Sequence, residues 1–253
     1  MPRLSVCIEM IFREVDFLDR IPKVKAAGFE AFEFWGTSNK DLAAVKRLKD
    51  QHGLTLTAVV TEYKQPLSEP ANHASFVEGF KRAAQVANDL ECKAVIVTVG
   101  NETPAPRRRQ HDNIVAGLKA AAPIAEERGV TMVLEPLNVL VDHKGYYLAA
   151  SAEGFEMVRE VASPNVKLLY DIYHQQITEG NLIATITANL AHIGHFHSAD
   201  VPGRHEFGTG EINYPNVLRA IDSLGYSGYV GLEFGPTGAS EAALARVREI
   251  AGV

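Results

Sequence analysis

The feature that most constrains this chain is an alternation. Eight short apolar runs recur along it: LSVCIE (4–9), EAFEFW (30–35), LTLTAVV (54–60), AVIVTVG (94–100), VTMVLE (130–135), VKLLYD (166–171), HIGHFH (192–197) and YVGLEF (229–234). Each is six or seven residues long and rich in β-branched or aromatic residues, which reads as a buried strand. Segments of helical length and spacing lie between them. DFLDRIPKVKAAG stops at Gly28, NKDLAAVKRLKDQHG opens at a capping Asn39 and stops at Gly53, and NYPNVLRAIDSLG stops at Gly225. Strict strand–helix alternation implies a parallel sheet with right-handed crossovers. Eight such units predict an α/β protein, a (β/α)8 TIM barrel. An open doubly wound sheet is the competing arrangement. Closure fits better, because eight units use the whole chain and match the barrel count. One domain spanning 1–253 follows, a usual size for one barrel.

Bulk properties narrow the classes of function. The net charge of −6 argues against a general nucleic-acid binder, which would carry a basic face. No run of about 18 apolar residues occurs, so no membrane span is expected. Cys7 and Cys92 are far apart and lie beside apolar runs, which reads as two reduced thiols. The charged N-terminus does not look like a secretory signal, and a cytoplasmic location is the expectation. The most polar stretch, TEYKQPLSEPANHAS (61–75), reads as a long loop.

In barrels of this kind, catalytic groups sit where strands end. Four consecutive strands end in groups able to bind a metal: Glu135, Asp171, His197 and Glu233. Taken singly, each has an ordinary reading as a cap, a loop-facing acid or a core histidine. Together they are hard to explain that way, because acids clustered in one mouth repel unless a cation sits among them. Three carboxylates and one imidazole make a hard, oxygen-rich site. It suits one divalent metal, Mn2+ or Mg2+, with Co2+ also compatible. His195 shares a strand face with His197 but lies one layer deeper, where it fills the barrel or supports the site by a hydrogen bond. Trp35, Phe34 and Phe12 gather near the ends of strands one and two. Trp35 and Glu33 are candidates for the pocket wall, with core packing the ordinary reading of Phe34. The Arg107–Arg109 run reads as a solvated helix start, with a phosphate site as the alternative.

Several of these segments resemble the xylose isomerase-like TIM barrels, and within them the hydroxypyruvate isomerase branch. They are LEPLN around Glu135, YDIYHQQ (170–176), GTGEINY (208–214), GYVGLEF around Glu233 and the opening SVCIEMIFREVDFLDRIPKVKAAGFEAFEFW. The D-tagatose/D-psicose 3-epimerases are similar at the metal positions. The resemblance implies metal ligands Glu135, Asp171, His197 and Glu233, with Glu135 and Glu233 also the catalytic acid/base pair. It implies substrate binding by His174 and Arg204. Some members of the branch carry glutamine where this chain has His197, so its metal set resembles the epimerases more. The loop at 61–75 also departs from that branch.

The implied activity is that of a sugar or keto-acid isomerase. A proton leaves a carbon beside a carbonyl, a metal-stabilised enediolate forms, and the proton returns to the neighbouring carbon. Conversion of hydroxypyruvate to tartronate semialdehyde is the leading expectation. A ketose 3-epimerase, and a metal-dependent lyase or dehydratase on an oxidised sugar, are the alternatives within this chemistry. A nuclease would need more metal ligands and a basic surface, and a non-catalytic binding module would have no use for an intact ligand set. The expected partner is a small-molecule sugar or keto acid, with neither nucleic acid nor membrane involved. Barrels of the family often pair, which makes a homo-oligomer an expectation of the resemblance.

Overall fold

The computed structural model describes residues 1–63 and 65–253. Lys64, within the predicted loop at 61–75, lies outside the described residues. All eight predicted runs form strands: β1 (Arg3–Cys7), β2 (Ala31–Glu33), β3 (Thr55–Leu56) with β4 (Ala58–Val60), β5 (Ala94–Val97), β6 (Thr131–Leu134), β7 (Val166–Asp171), β8 (Ile193–Ser198) and β9 (Tyr229–Leu232). The third run is split in two, which makes nine strands among the described residues. β3 pairs with β2, and β4 pairs with β5. All pairings are parallel, in the order β3-β2-β1-β9-β8-β7-β6-β5-β4. The two ends of that order are joined by one residue of chain, Thr57, so the sheet curls into a barrel. The split has a simple cause. One short segment must face two neighbours that diverge, and its hydrogen bonds pass from β2 to β5 midway.

Helices cover the outside: α1 (Phe17–Ala26), α2 (Leu42–Gln51), α3 (His73–Asp89), α4 (Arg107–Arg128), α5 (Ser151–Val161), α6 (Ile172–Thr178), α7 (Leu182–Asn189), α8 (Tyr214–Ser223) and α9 (Ser240–Ala251). Their ends follow local chemistry. Asn213 caps α8 by accepting from the Asn216 amide at 3.2 Å. α2 corrects the expected cap. Asp41, not Asn39, accepts from the Ala44 amide at 2.9 Å, two residues later than expected. Gly28, Gly53 and Gly225 all have positive φ at the predicted stops. Arg107 opens α4 as expected, and two of the three arginines are engaged in ion pairs. Arg107 pairs with Glu102 and Glu153, and Arg108 with Asp112 on its own helix and the α5 acids Glu156 and Glu160.

The main apolar core lies between barrel and helices. The barrel interior is divided. Its β4–β7 side is filled by Ala58, Ala94, Ile96, Val133 and Leu169. The other side is polar. Ser5 and Thr57 hydroxyls lie 2.7 Å apart, Thr57 donates to Glu33 at 2.9 Å, and His195 Nε2 lies 2.9 Å from the same carboxylate. Buried polar groups persist only when paired, and this ladder pairs them one to the next. Cys7 and Cys92 are free and buried, as expected of reduced thiols. Among the described residues no helix is long and apolar enough to cross a membrane.

Candidate active site

The ladder leads upward to a cavity of 810 Å³ at the C-terminal ends of the strands. Glu135, His197, Glu233, Trp35 and Arg204 all line it. Glu135 follows the last residue of β6, Asp171 ends β7, His197 precedes the last residue of β8, and Glu233 follows β9. Ligand atoms from these four buried side chains all lie within 4.8 Å of one another. His197 Nδ1 stands between the two glutamates, 3.3 Å from Glu135 Oε1 and 3.3 Å from Glu233 Oε2. Among the described residues neither this nitrogen nor Nε2 has a hydrogen-bond partner of good geometry, although both are fully buried. A buried imidazole nitrogen without a partner, facing carboxylates from neighbouring strands, is the environment a divalent cation satisfies. The donor set fits such an ion.

Each side chain is held from behind. Asp171 caps α6, accepting from the Tyr173 amide at 2.8 Å and the His174 amide at 3.4 Å. Burial pushes its carboxyl up to about 6, against the pull of Arg204. Glu233 accepts from Trp35 Nε1 at 2.9 Å on one oxygen and from Arg204 on the other. Burial opposes its ionisation, but His197 and Arg204 outweigh that and hold it far below the usual carboxylate range. The Glu135 backbone carbonyl accepts from the Tyr146 hydroxyl at 2.9 Å, and the same hydroxyl accepts from the Val99 amide. Desolvation works to discharge His197, yet Glu233 and Glu33 raise it well above an ordinary histidine.

Trp35 stands in the wall as expected, 40 % exposed, whereas Phe34 and Phe12 are buried packing residues. Arg204 also lies 4.0 Å from Asp171 Oδ2, with its guanidinium over the Tyr173 ring. It adopts a left-handed φ of 57°, held by its contact with Glu233 and by a hydrogen bond that its backbone amide donates to the Asp200 carbonyl.

Two residues sit elsewhere than on the wall. Glu33 lies beneath the cavity floor, with Oε1 2.9 Å from His197 Nε2 and Oε2 2.9 Å from His195 Nε2. It is the last residue of a three-residue, fully buried strand, and its inward side chain meets the two β8 histidines and not solvent. His195 makes the expected supporting contact through that carboxylate. His174 is fully buried, its Nε2 3.5 Å from Asp171 Oδ2.

Glycines and an aspartate shape the surroundings. A Cβ on Gly231 would lie 2.3 Å from Glu33 Oε1 and 2.7 Å from His197 Cδ2, so only glycine leaves room for their contact. Asp200, the last residue of HFHSAD, accepts four backbone amides, those of Val201, Gly208, Gly210 and Ile212. It folds the GTGEINY segment against β8. That motif therefore shapes the loop that carries Arg204.

Sequence reasoning does not single out Lys40, Glu62, Asn138 or His143. Lys40 binds Glu9 at 2.7 Å across the rim, and Glu62 accepts from the Ser38 amide at 2.6 Å. These contacts join loops from different strand–helix units, and no spacing within one unit announces them.

A parallel barrel with this row of potential metal-binding groups at its strand ends defines a class, and comparison gives the family. The family model for xylose isomerase-like TIM barrels matches residues 21–250, and the chain belongs to that family. It is 32 % identical to a 2-oxo-tetronate isomerase of Cupriavidus necator, with all of both chains covered. It is 32 % identical to the hydroxypyruvate isomerase of Escherichia coli, over 96 % of this chain and 97 % of that one. On these relationships the chain is an isomerase. A solved structure from Brucella melitensis, described as an AP endonuclease of family 2, superposes with a TM-score of 0.93 at 29 % identity, covering 98 % of this chain and 99 % of that one. An L-ribulose 3-epimerase shares the fold, with a TM-score of 0.84 at 22 % identity over 100 % of this chain and 94 % of that one.

Proposed function

We propose that the chain isomerises short 2-oxo acids of the hydroxypyruvate type, with Glu135, Asp171, His197 and Glu233 holding one divalent metal, Mn2+ or Mg2+. The observation that carries this is the buried four-atom cluster beside the cavity, three of whose residues, Glu135, His197 and Glu233, line it. A bound divalent ion would supply Lewis acidity for the negative charge that develops on substrate oxygens during proton transfer.

The chain's own groups do the rest. Glu135 and Glu233 flank His197 from opposite ends of the row, and move the proton between neighbouring carbons. Glu233 is clamped on both oxygens by Trp35 and Arg204, which keeps it ionised and aimed. Arg204 is the partner for the substrate's carboxylate, since a guanidinium binds carboxylates through two parallel bonds. Trp35 closes one side of the cavity and limits water at the reacting carbons. The cavity exceeds what a three-carbon acid needs, so four-carbon 2-oxo acids also belong to the proposed substrate class.

The test is proton NMR in D2O with Mn2+- or Mg2+-loaded enzyme, offered hydroxypyruvate, a four-carbon 2-oxo acid and free ketoses. Conversion of a 2-oxo acid to its aldehyde isomer is expected. Exchange confined to C3 of a ketose would replace the reading with epimerisation, and elimination would replace it with a dehydratase.

A further inference from the structure

Asn138 lies three residues beyond Glu135 in LEPLN and is fully buried. Its Nδ2 lies 2.7 Å from His174 Nδ1, and its backbone amide lies 3.3 Å from the same nitrogen. The orientation of the Asn138 amide is fixed by three contacts. Nδ2 donates to Asp142 Oδ2 at 2.7 Å, which a carbonyl oxygen could not do. Oδ1 accepts from the Val141 and Asp142 amides at 2.9 and 3.3 Å, which an NH2 group could not do. Asp142 Oδ2 is held in turn by the Tyr173 hydroxyl at 2.9 Å.

Two N–H groups therefore point at His174 Nδ1, and a nitrogen that accepts cannot also carry a proton. The proton of the neutral ring must be on Nε2. That nitrogen is fully buried, has no hydrogen-bond partner and faces the metal-ligand cluster, with Asp171 Oδ2 3.5 Å away. We propose that Asn138 is a positioning residue that locks His174 in its Nε2–H tautomer, presenting a fixed N–H donor on the side of Asp171 and the strand-end cluster. His174 then acts as a donor and takes no proton from the substrate. The role in turnover rests on the proposed isomerase reading, whereas the tautomer does not.

The experiment is long-range 1H–15N NMR on protein labelled at histidine, metal-free and Mg2+-loaded, with His174→Gln used to assign the signal. The expected result is a bare Nδ1 and a protonated Nε2 in both states. A proton on Nδ1 overturns the proposal. The paired variant Asn138→Asp with Asp142→Asn reverses the bond between positions 138 and 142 and offers His174 Nδ1 an acceptor. It is expected to move the His174 proton to Nδ1 and to lower kcat/KM at least tenfold. An unchanged tautomer in that folded variant overturns the proposal, and the wild-type spectrum decides alone if the variant does not fold. His174→Gln, which can place an N–H near the Nε2 position, is expected to keep more activity than His174→Leu; equal losses would overturn the donor role. Failure of every substrate to turn over would instead refute the isomerase reading and leave the tautomer result standing.

Discussion

Replacing Glu33 with glutamine keeps the side chain's size and removes its charge from beneath His197. In the metal-free protein, burial raises the Glu33 carboxyl, but His197 and His195 outweigh burial and bring it from an ordinary 4.5 to about 2. A displacement of that size corresponds to roughly 3 kcal/mol of folding stability. Because the folded value lies below the unfolded one, this contribution is fully present above pH 4.5 and is lost as pH falls through about 2. With an ion on His197 Nδ1, the same carboxylate orients the ring from its Nε2 side. Removing such a partner costs about 10- to 100-fold in metal affinity, or about 1.4–2.7 kcal/mol. Calorimetric Mn2+ titration and urea denaturation of Glu33→Gln near neutral pH measure both effects. A weaker Mn2+ Kd and a lower urea midpoint are expected. Wild-type values for both would refute the idea that Glu33 supports the site from below.

Gly231→Ala should damage the same contact from the other side. Its new Cβ would crowd Glu33 Oε1 and His197 Cδ2, at a cost of about 1–3 kcal/mol, visible as a lower Tm and weaker Mn2+ binding. Metal affinity should fall with pH. Burial holds Asp171 near 6, and a proton there competes with the ion, so the apparent Kd measured by calorimetry should be about tenfold weaker at a pH one unit below that value than one unit above it. Arg204→Ala should raise KM for a 2-oxo acid and lower kcat, because it removes both the carboxylate partner and a clamp on Glu233. Steady-state kinetics check this, and near-normal activity would exclude Arg204 from the site.

The barrel is legible in the sequence because its strands are buried on both faces and read as continuous apolar runs. The ligand row is legible for a related reason. A carboxylate or imidazole at the end of an apolar run stands out, and four in succession have one geometric meaning. The supporting residues are harder to read. Glu33 lies inside the run EAFEFW and not at its end, and only the pairing of β1 with β2 and β9 brings it close to His197. Asn138 lies in an irregular loop and gains its role from α6, more than thirty residues away. Lys40 and Glu9 come from separate loops and meet only across the cavity rim. The capping shift from Asn39 to Asp41 is smaller in kind. Both residues can cap, and it is the Asp41 carboxylate that reaches the Ala44 amide.

The central claim is that Glu135, Asp171, His197 and Glu233 share one divalent ion in the cavity. Anomalous diffraction at the manganese edge, from crystals grown with Mn2+, tests it most directly. The account predicts one strong peak within bonding distance of all four side chains. Two further groups, Glu33 with His195 and His197, and His111 with Glu156 and Glu160 on the outer helices, also bring their ligand atoms within 4.8 Å of one another. A peak at either of these alone, with none shared by the four strand-end residues, would contradict the account.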